Sequence, residues 1–167
     1  MSGYIEEYEF KTPPKEITYY DDKPLELNQE LTFYHNKTQF RKELTRLQYL
    51  FKKYLKNTLL ASGIRDSYLK KEYSEEYFIV LFADINLVKE INQIVEKHSE
   101  KEILPRCFFL ESNSNYMVLL SKDIEGLTLG IDEMESIFTQ TFEDYLNRKQ
   151  FDDYIKIRQF KMISCKK

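Results

Sequence analysis

The run from Tyr77 to Asn92 constrains the fold more than any other stretch of the chain. Tyr77 to Ala83 is almost wholly apolar, the pattern of a strand covered on both faces or central in a sheet. Asp84 ends that run, and Leu87, Val88, Ile91, Ile94 and Val95 then fall on one face of an amphipathic helix. An acid at the carboxyl end of a central strand is a common place to hold a metal or a phosphate. The same acid is equally placed to cap the helix by accepting from its free N–H groups. Both readings of Asp84 stay open at this stage.

The remaining periodicities complete the set of elements. Phe40, Leu44, Leu47, Phe51, Tyr54 or Leu55, and Leu59 recur at spacings of three and four, which predicts a long helix over about 37–60. Asn36 can cap it, Gln39 stands at the reciprocal position of a capping box, and Gly63 can end it. Leu104 to Leu110 and Tyr116 to Leu120 read as two strands of a hairpin around a turn at Glu111–Asn115. A loop holding Gly126 and Gly130 leads to a last helix, with Met134, Ile137, Phe138, Thr141, Phe142, Tyr145 and Leu146 on one face. Tyr154 to Ser164 alternates, then shifts phase at Phe160, which predicts a strand with a bulge. Lys156, Arg158 and Lys161 on it suit an edge strand that resists unwanted pairing. The order β-α-β-β-α-β predicts an α+β, ferredoxin-like domain: a four-stranded antiparallel sheet with two helices on one face.

Residues 1–36 differ from the rest. They carry three of the four prolines and many scattered aromatics, among them Tyr19 and Tyr20. Prolines favour extended backbone, and Ile17–Tyr20 and Leu25–Leu27 can form short strands. The segment reads as an arm lying along its own domain or along a partner. The organisation expected is therefore an extended arm at 1–36, a long amphipathic helix at 37–63 and a ferredoxin-like domain at 64–167.

Charge and cysteine content narrow the function. A net charge of −3 does not favour a general electrostatic grip on nucleic acid. The basic residues Arg41, Lys42, Arg46, Lys52, Lys53 and Lys56 read as the solvated face of the long helix. Two cysteines, Cys107 and Cys165, are too few for a disulfide framework; Cys107 reads as a core thiol, and a reducing, cytoplasmic compartment is expected. No apolar run approaches the ~20 residues of a membrane span, and the acidic N-terminus does not suit a signal peptide. Neither His35 nor His98 has a companion at metal-ligand spacing, so no metal or cofactor is expected.

The stretch from Ile79 to Asn92 resembles the first strand and helix of the GGDEF, or diguanylate cyclase, family. Asp84, Lys89, Ile91 and Asn92 fall at matching places, while Asn86 and Val88 stand for an aspartate and a phenylalanine. Ser62–Gly63–Ile64 with Arg65 and Tyr68–Leu69 resembles the element that begins such domains. Ser112–Asn113–Ser114–Asn115–Tyr116 occupies the place of the signature, so both glycines and both acids are missing. The resemblance implies a catalytically inactive member, because a two-metal site needs several carboxylates.

The expectation is a non-enzymatic interaction or regulatory subunit of a larger assembly. Tyr19, Tyr20, Phe40, Leu47, Phe51 and Tyr54 are the candidate contact residues, since rings offer large contact area at interfaces. The partner is a protein, and the striped helix either packs on its own domain or forms a homodimer seam. One alternative is a nucleotide- or metal-binding enzyme using Asp84, Lys89 and Asn92. The other is an RNA binder that stacks bases on the sheet face.

Overall fold

The computed structural model describes residues 5–27, 32–35, 45–47, 49, 50, 53, 65–68, 78–83, 103–114, 116–147 and 155–166; for 27, 32–35, 65–68, 78–83 and 116 it describes the backbone alone. The strands in chain order are β1 (Glu16–Tyr19), β2 (Leu25–Leu27), β3 (Thr32–His35), β4 (Arg65–Tyr68), β5 (Phe78–Ala83), β6 (Cys107–Ser112), β7 (Tyr116–Ser121), β8 (Ile155–Ile157) and β9 (Phe160–Cys165). One long helix, α1 (Ile124–Leu146), lies between β7 and β8. Residues 45–47, 49, 50 and 53 are also helical.

The chain is α+β, as the order of its elements predicts. Among the described residues, seven strands form one sheet in the order β1-β9-β6-β7-β5-β3-β4, and β2 pairs with β8 in a second. The first four strands of that order are antiparallel, with Phe109 opposite both Leu120 and Ile163. β7, β5, β3 and β4 run parallel to one another. The sheet is thus wider than four strands: β1 of the arm extends one side, and β3 of the arm followed by β4 extends the other. Arm and domain share one sheet across the boundary expected at residue 36.

α1 packs on β6, β7 and β8. Leu127, Ile131, Met134, Ile137, Phe138 and Phe142 recur on its buried face, a period that matches 3.6 residues per turn. They meet Phe108 and Leu110 of β6, Met117 and Leu119 of β7, and Phe160 and Met162 of β9 in one core. Each such side chain contributes about 1.5–3 kcal/mol when fully buried. β6 is buried along its whole length, Phe109 as well as Phe108. No helix among the described residues is long and apolar enough to cross a membrane.

Four local expectations are corrected. The glycine loop is not a loop: α1 begins at Ile124, capped by Asp123, whose Oδ1 accepts from Gly126 N at 2.8 Å. Both glycines belong to the helix because it comes very close to the sheet. A Cβ on Gly126 would lie 2.1 Å from the carbonyl oxygen of Cys107, and one on Gly130 would lie 2.4 Å from a methyl of Leu119. The last strand is not bulged. It is two strands in two sheets, and the phase shift marks the break at Arg158 and Gln159. β9 is no edge strand either, since β1 covers its outer side, and its Lys161 pairs with Glu111 at 3.5 Å. Finally, Cys107 and Cys165 are not free thiols but form a disulfide. The β6–β9 register sets the two residues directly opposite each other, which a reading of cysteine number alone does not reveal.

Gly126→Ala is expected to lower stability by about 1–3 kcal/mol, because backbone atoms cannot move aside for the new methyl. Gly130→Ala is expected to cost less: the Leu119 side chain can turn away, and alanine recovers up to about 1 kcal/mol of helix propensity. Urea unfolding of the two variants measures the order.

Candidate functional site

The arm carries backbone N–H groups past the side of α1. α1 receives them with side chains. The carboxylate of Glu133 accepts from Lys11 N at 3.1 Å and from Thr12 N at 3.2 Å. Gln140 pairs with Glu9 in both directions: its Oε1 accepts from Glu9 N at 2.8 Å and its Nε2 donates to Glu9 O at 2.6 Å. Glu133 is only 1% exposed. Burial pushes its carboxyl above the usual range, opposed by the N–H groups of Thr12 and Lys11 and by the Lys11 charge.

A second anchor sits where β8 gives way to β9. Arg158 Nη2 donates to Asp21 Oδ1 at 2.7 Å, Nη1 to Glu6 O at 2.5 Å and Nε to Tyr20 O at 3.4 Å. Its guanidinium lies 4.9 Å from the centre of the Tyr19 ring, and its backbone N donates to the Tyr8 hydroxyl at 3.2 Å. The Tyr19 hydroxyl in turn accepts from Tyr8 N at 3.0 Å. Both rings pack on Phe160, with centroids 5.9 Å and 6.2 Å away. Burial raises the pKa of both phenols. A third link joins the helical residue Arg46 to α1: it donates to Asp132 at 2.6 Å and to Glu135 at 2.7 Å. Arg46 therefore belongs to an ion-pair network and not simply to a solvated face.

On another part of the surface lies an apolar pocket of about 270 Å³. Ile103, Leu104, Phe109, Ile163 and the disulfide line it, with Lys15 at its rim. Among the described residues, no group of three His, Cys, Asp or Glu is arranged to hold a metal ion. The arrangement as a whole holds an arm in place; it does not juxtapose a nucleophile with a base.

The sequence-derived candidates divide into three groups. Tyr19 is half-buried in the arm seam, and Tyr20 is half-buried with the Lys161 ammonium 5.7 Å from its ring centre. Leu47 is fully buried in the chain's own core. Phe40, Phe51, Tyr54, Asp84, Lys89 and Asn92 lie outside the described residues. Of the segments that resemble the cyclase family, the signature position is described in part and forms the turn between β6 and β7. Sequence reasoning missed Arg158, Gln140, Tyr8 and Glu133. Only Glu133 left a signal, as a carboxylate within the apolar stripe of α1 between Gly130 and Ile137.

No protein-family model matches the chain, and no curated protein sequence matches it. Solved structures do resemble its fold. CpGH84D matches with a TM-score of 0.66 at 11% identity, over 96% of this chain and 24% of that one. CpGH84B matches with a TM-score of 0.53 at 16% identity, over 95% and 22% of the respective chains. The GH20 β-N-acetylhexosaminidase from Streptomyces coelicolor A3(2) matches with a TM-score of 0.52 at 10% identity, over 90% and 25%. At such identities the likeness is one of fold. The chain spans about a quarter of the length of these proteins.

Glu133→Ala is expected to cost roughly 1–3 kcal/mol by stranding two partly buried donors, with faster amide exchange at Lys11 and Thr12. A carboxyl whose folded pKa is raised binds its proton more tightly in the folded chain. Its contribution therefore improves as pH falls from above the folded pKa toward the unfolded value near ~4.3. The stability of the native chain relative to Glu133→Gln is expected to grow over that window. Urea unfolding of both at pH 7 and pH 4.5 tests the sign, and a constant difference would refute it.

Proposed function

We propose that this chain is a non-enzymatic module that works beside a glycoside hydrolase-type catalytic unit. The observation that carries this reading is the asymmetry of coverage: nearly all of this chain corresponds to a minor part of a much longer glycoside hydrolase. A unit of that kind contributes a packing surface, and the rest of the assembly contributes the chemistry. The described polar groups support the same reading. Glu133, Gln140, Arg158 and Arg46 are occupied in holding the chain together. The interaction role expected from the sequence thus acquires a partner class, an enzyme acting on N-acetyl-β-hexosaminides like the one from Streptomyces coelicolor. The Cys107–Cys165 bond supports an oxidising compartment in place of the cytoplasm expected from cysteine number.

The purified chain is expected to leave a chromogenic N-acetyl-β-glucosaminide intact. In native extracts, a tagged chain is expected to elute from gel filtration well above its own 20.3 kDa, together with activity toward that substrate. Turnover by the chain alone, or elution of the tagged chain apart from all such activity, refutes the proposal.

A further inference from the structure

We propose that the Cys107–Cys165 disulfide is a reducible clamp that holds the turn before β6 against the start of α1. Three elements meet at this point. Residues 104–107 form a turn closed by Cys107 N donating to Leu104 O at 3.2 Å. Within it Arg106 has φ of 62°, a left-handed conformation that an L-residue with a side chain adopts only when its surroundings hold it there. What holds it is visible on both sides. Arg106 N donates to Asp123 Oδ2 at 3.0 Å, on the same carboxylate that caps α1 through Gly126 N. Arg106 O accepts from Lys166 N at 2.9 Å, the residue after Cys165. Glu125 of α1 reaches Arg106 and Lys166 at 3.3 Å and 3.7 Å. The disulfide is the covalent member of this set. It joins residues 58 positions apart at the end of the β6–β9 ladder.

The position favours local release over global unfolding. β6 keeps its pairing with β7 and with β9 beyond the bridge, from Phe108 to Ser112. A reductant has a way in, because Cys165 is half-buried and both sulfur-bearing residues border the apolar pocket. Exposed bridges are the labile ones. In the step proposed, a thiolate of a dithiol reductant attacks Sγ of Cys165, and the bond to Sγ of Cys107 breaks. Cys107 leaves as a thiolate and takes up a proton. The second thiol of the reductant, as its thiolate, then attacks the mixed disulfide and releases Cys165, which also becomes a thiol. Two electrons and two protons pass to the chain, and the reductant leaves as its own disulfide. With the bridge open, Arg106 is free to leave the left-handed region, its hold on Asp123 loosens, and the pocket loses one wall.

The test uses the full chain in two states, oxidised and treated with dithiothreitol at neutral pH. Alkylation and mass spectrometry count thiols, circular dichroism follows the fold, and hydrogen exchange is read segment by segment. The expected result is two alkylated cysteines with an unchanged spectrum. Exchange is expected to rise about tenfold or more in 103–108 and 123–127 but not in β7 or the middle of α1, as for a local opening unit. The Cys107→Ser, Cys165→Ser double variant is expected to match the reduced chain. The proposal is overturned if exchange is the same in both states, or if the cysteines react only as the whole spectrum collapses. It is also overturned if the folded double variant exchanges like the oxidised chain.

Discussion

The guanidinium of Arg158 is the interaction on which the architecture turns. It stands between β8 and β9, where the chain passes from one sheet to the other, and it reaches backbone or side chain at Glu6, Tyr20 and Asp21. Its side chain is 15% exposed while Asp21 is 93% exposed. The pair therefore owes more to the several bonds Arg158 makes at once than to its Coulomb term with one solvated acid. Remove that fork and Glu6, Tyr20 and Asp21 lose their common point of attachment. Glu133 and Gln140 do related work from the helix side, supplying acceptors and a donor to the backbone of the arm. The arm is thereby as much a part of the fold as the helix it crosses.

Much of this fold was legible in the sequence. The extended backbone expected beside the prolines placed short strands at Ile17–Tyr20 and Leu25–Leu27, within a residue of where they lie, and the run ending at Asp84 marked β5. The hairpin of β6 and β7 was readable from its turn residues. What was not legible depends on contacts between distant positions. The helical start at Ile124 was hidden because glycine is a poor helix former, yet here the absence of a Cβ is what lets α1 touch Cys107. The break at Arg158 was taken for a bulge because a phase shift looks the same whether a strand bends or changes sheets. The arm seam was invisible for a similar reason: Glu9, Lys11 and Thr12 bond to α1 through their backbone, which leaves no trace in residue type.

The candidate contact residues show how one physical property serves two ends. Rings in a proline-rich segment look like an interface because they offer apolar area that must be covered. Tyr19 is covered, by Phe160 and Arg158 of the same chain. Leu47, chosen as part of a stripe seeking another helix, is buried in the chain's own core. A sequence announces that such surface will be buried, but not whether the covering atoms belong to the same molecule.

The union of β1 with β9 and of Tyr8 with Arg158 has a bearing on how the protein comes into being. Tyr8 and Arg158 are 150 positions apart, so a nascent polypeptide leaving the ribosome carries β1 through the synthesis of that whole intervening stretch before its mate exists. Closing so long a loop is slow. Until then Tyr8, Ile17 and Tyr19 stand uncovered, an interval in which a chaperone has something to hold.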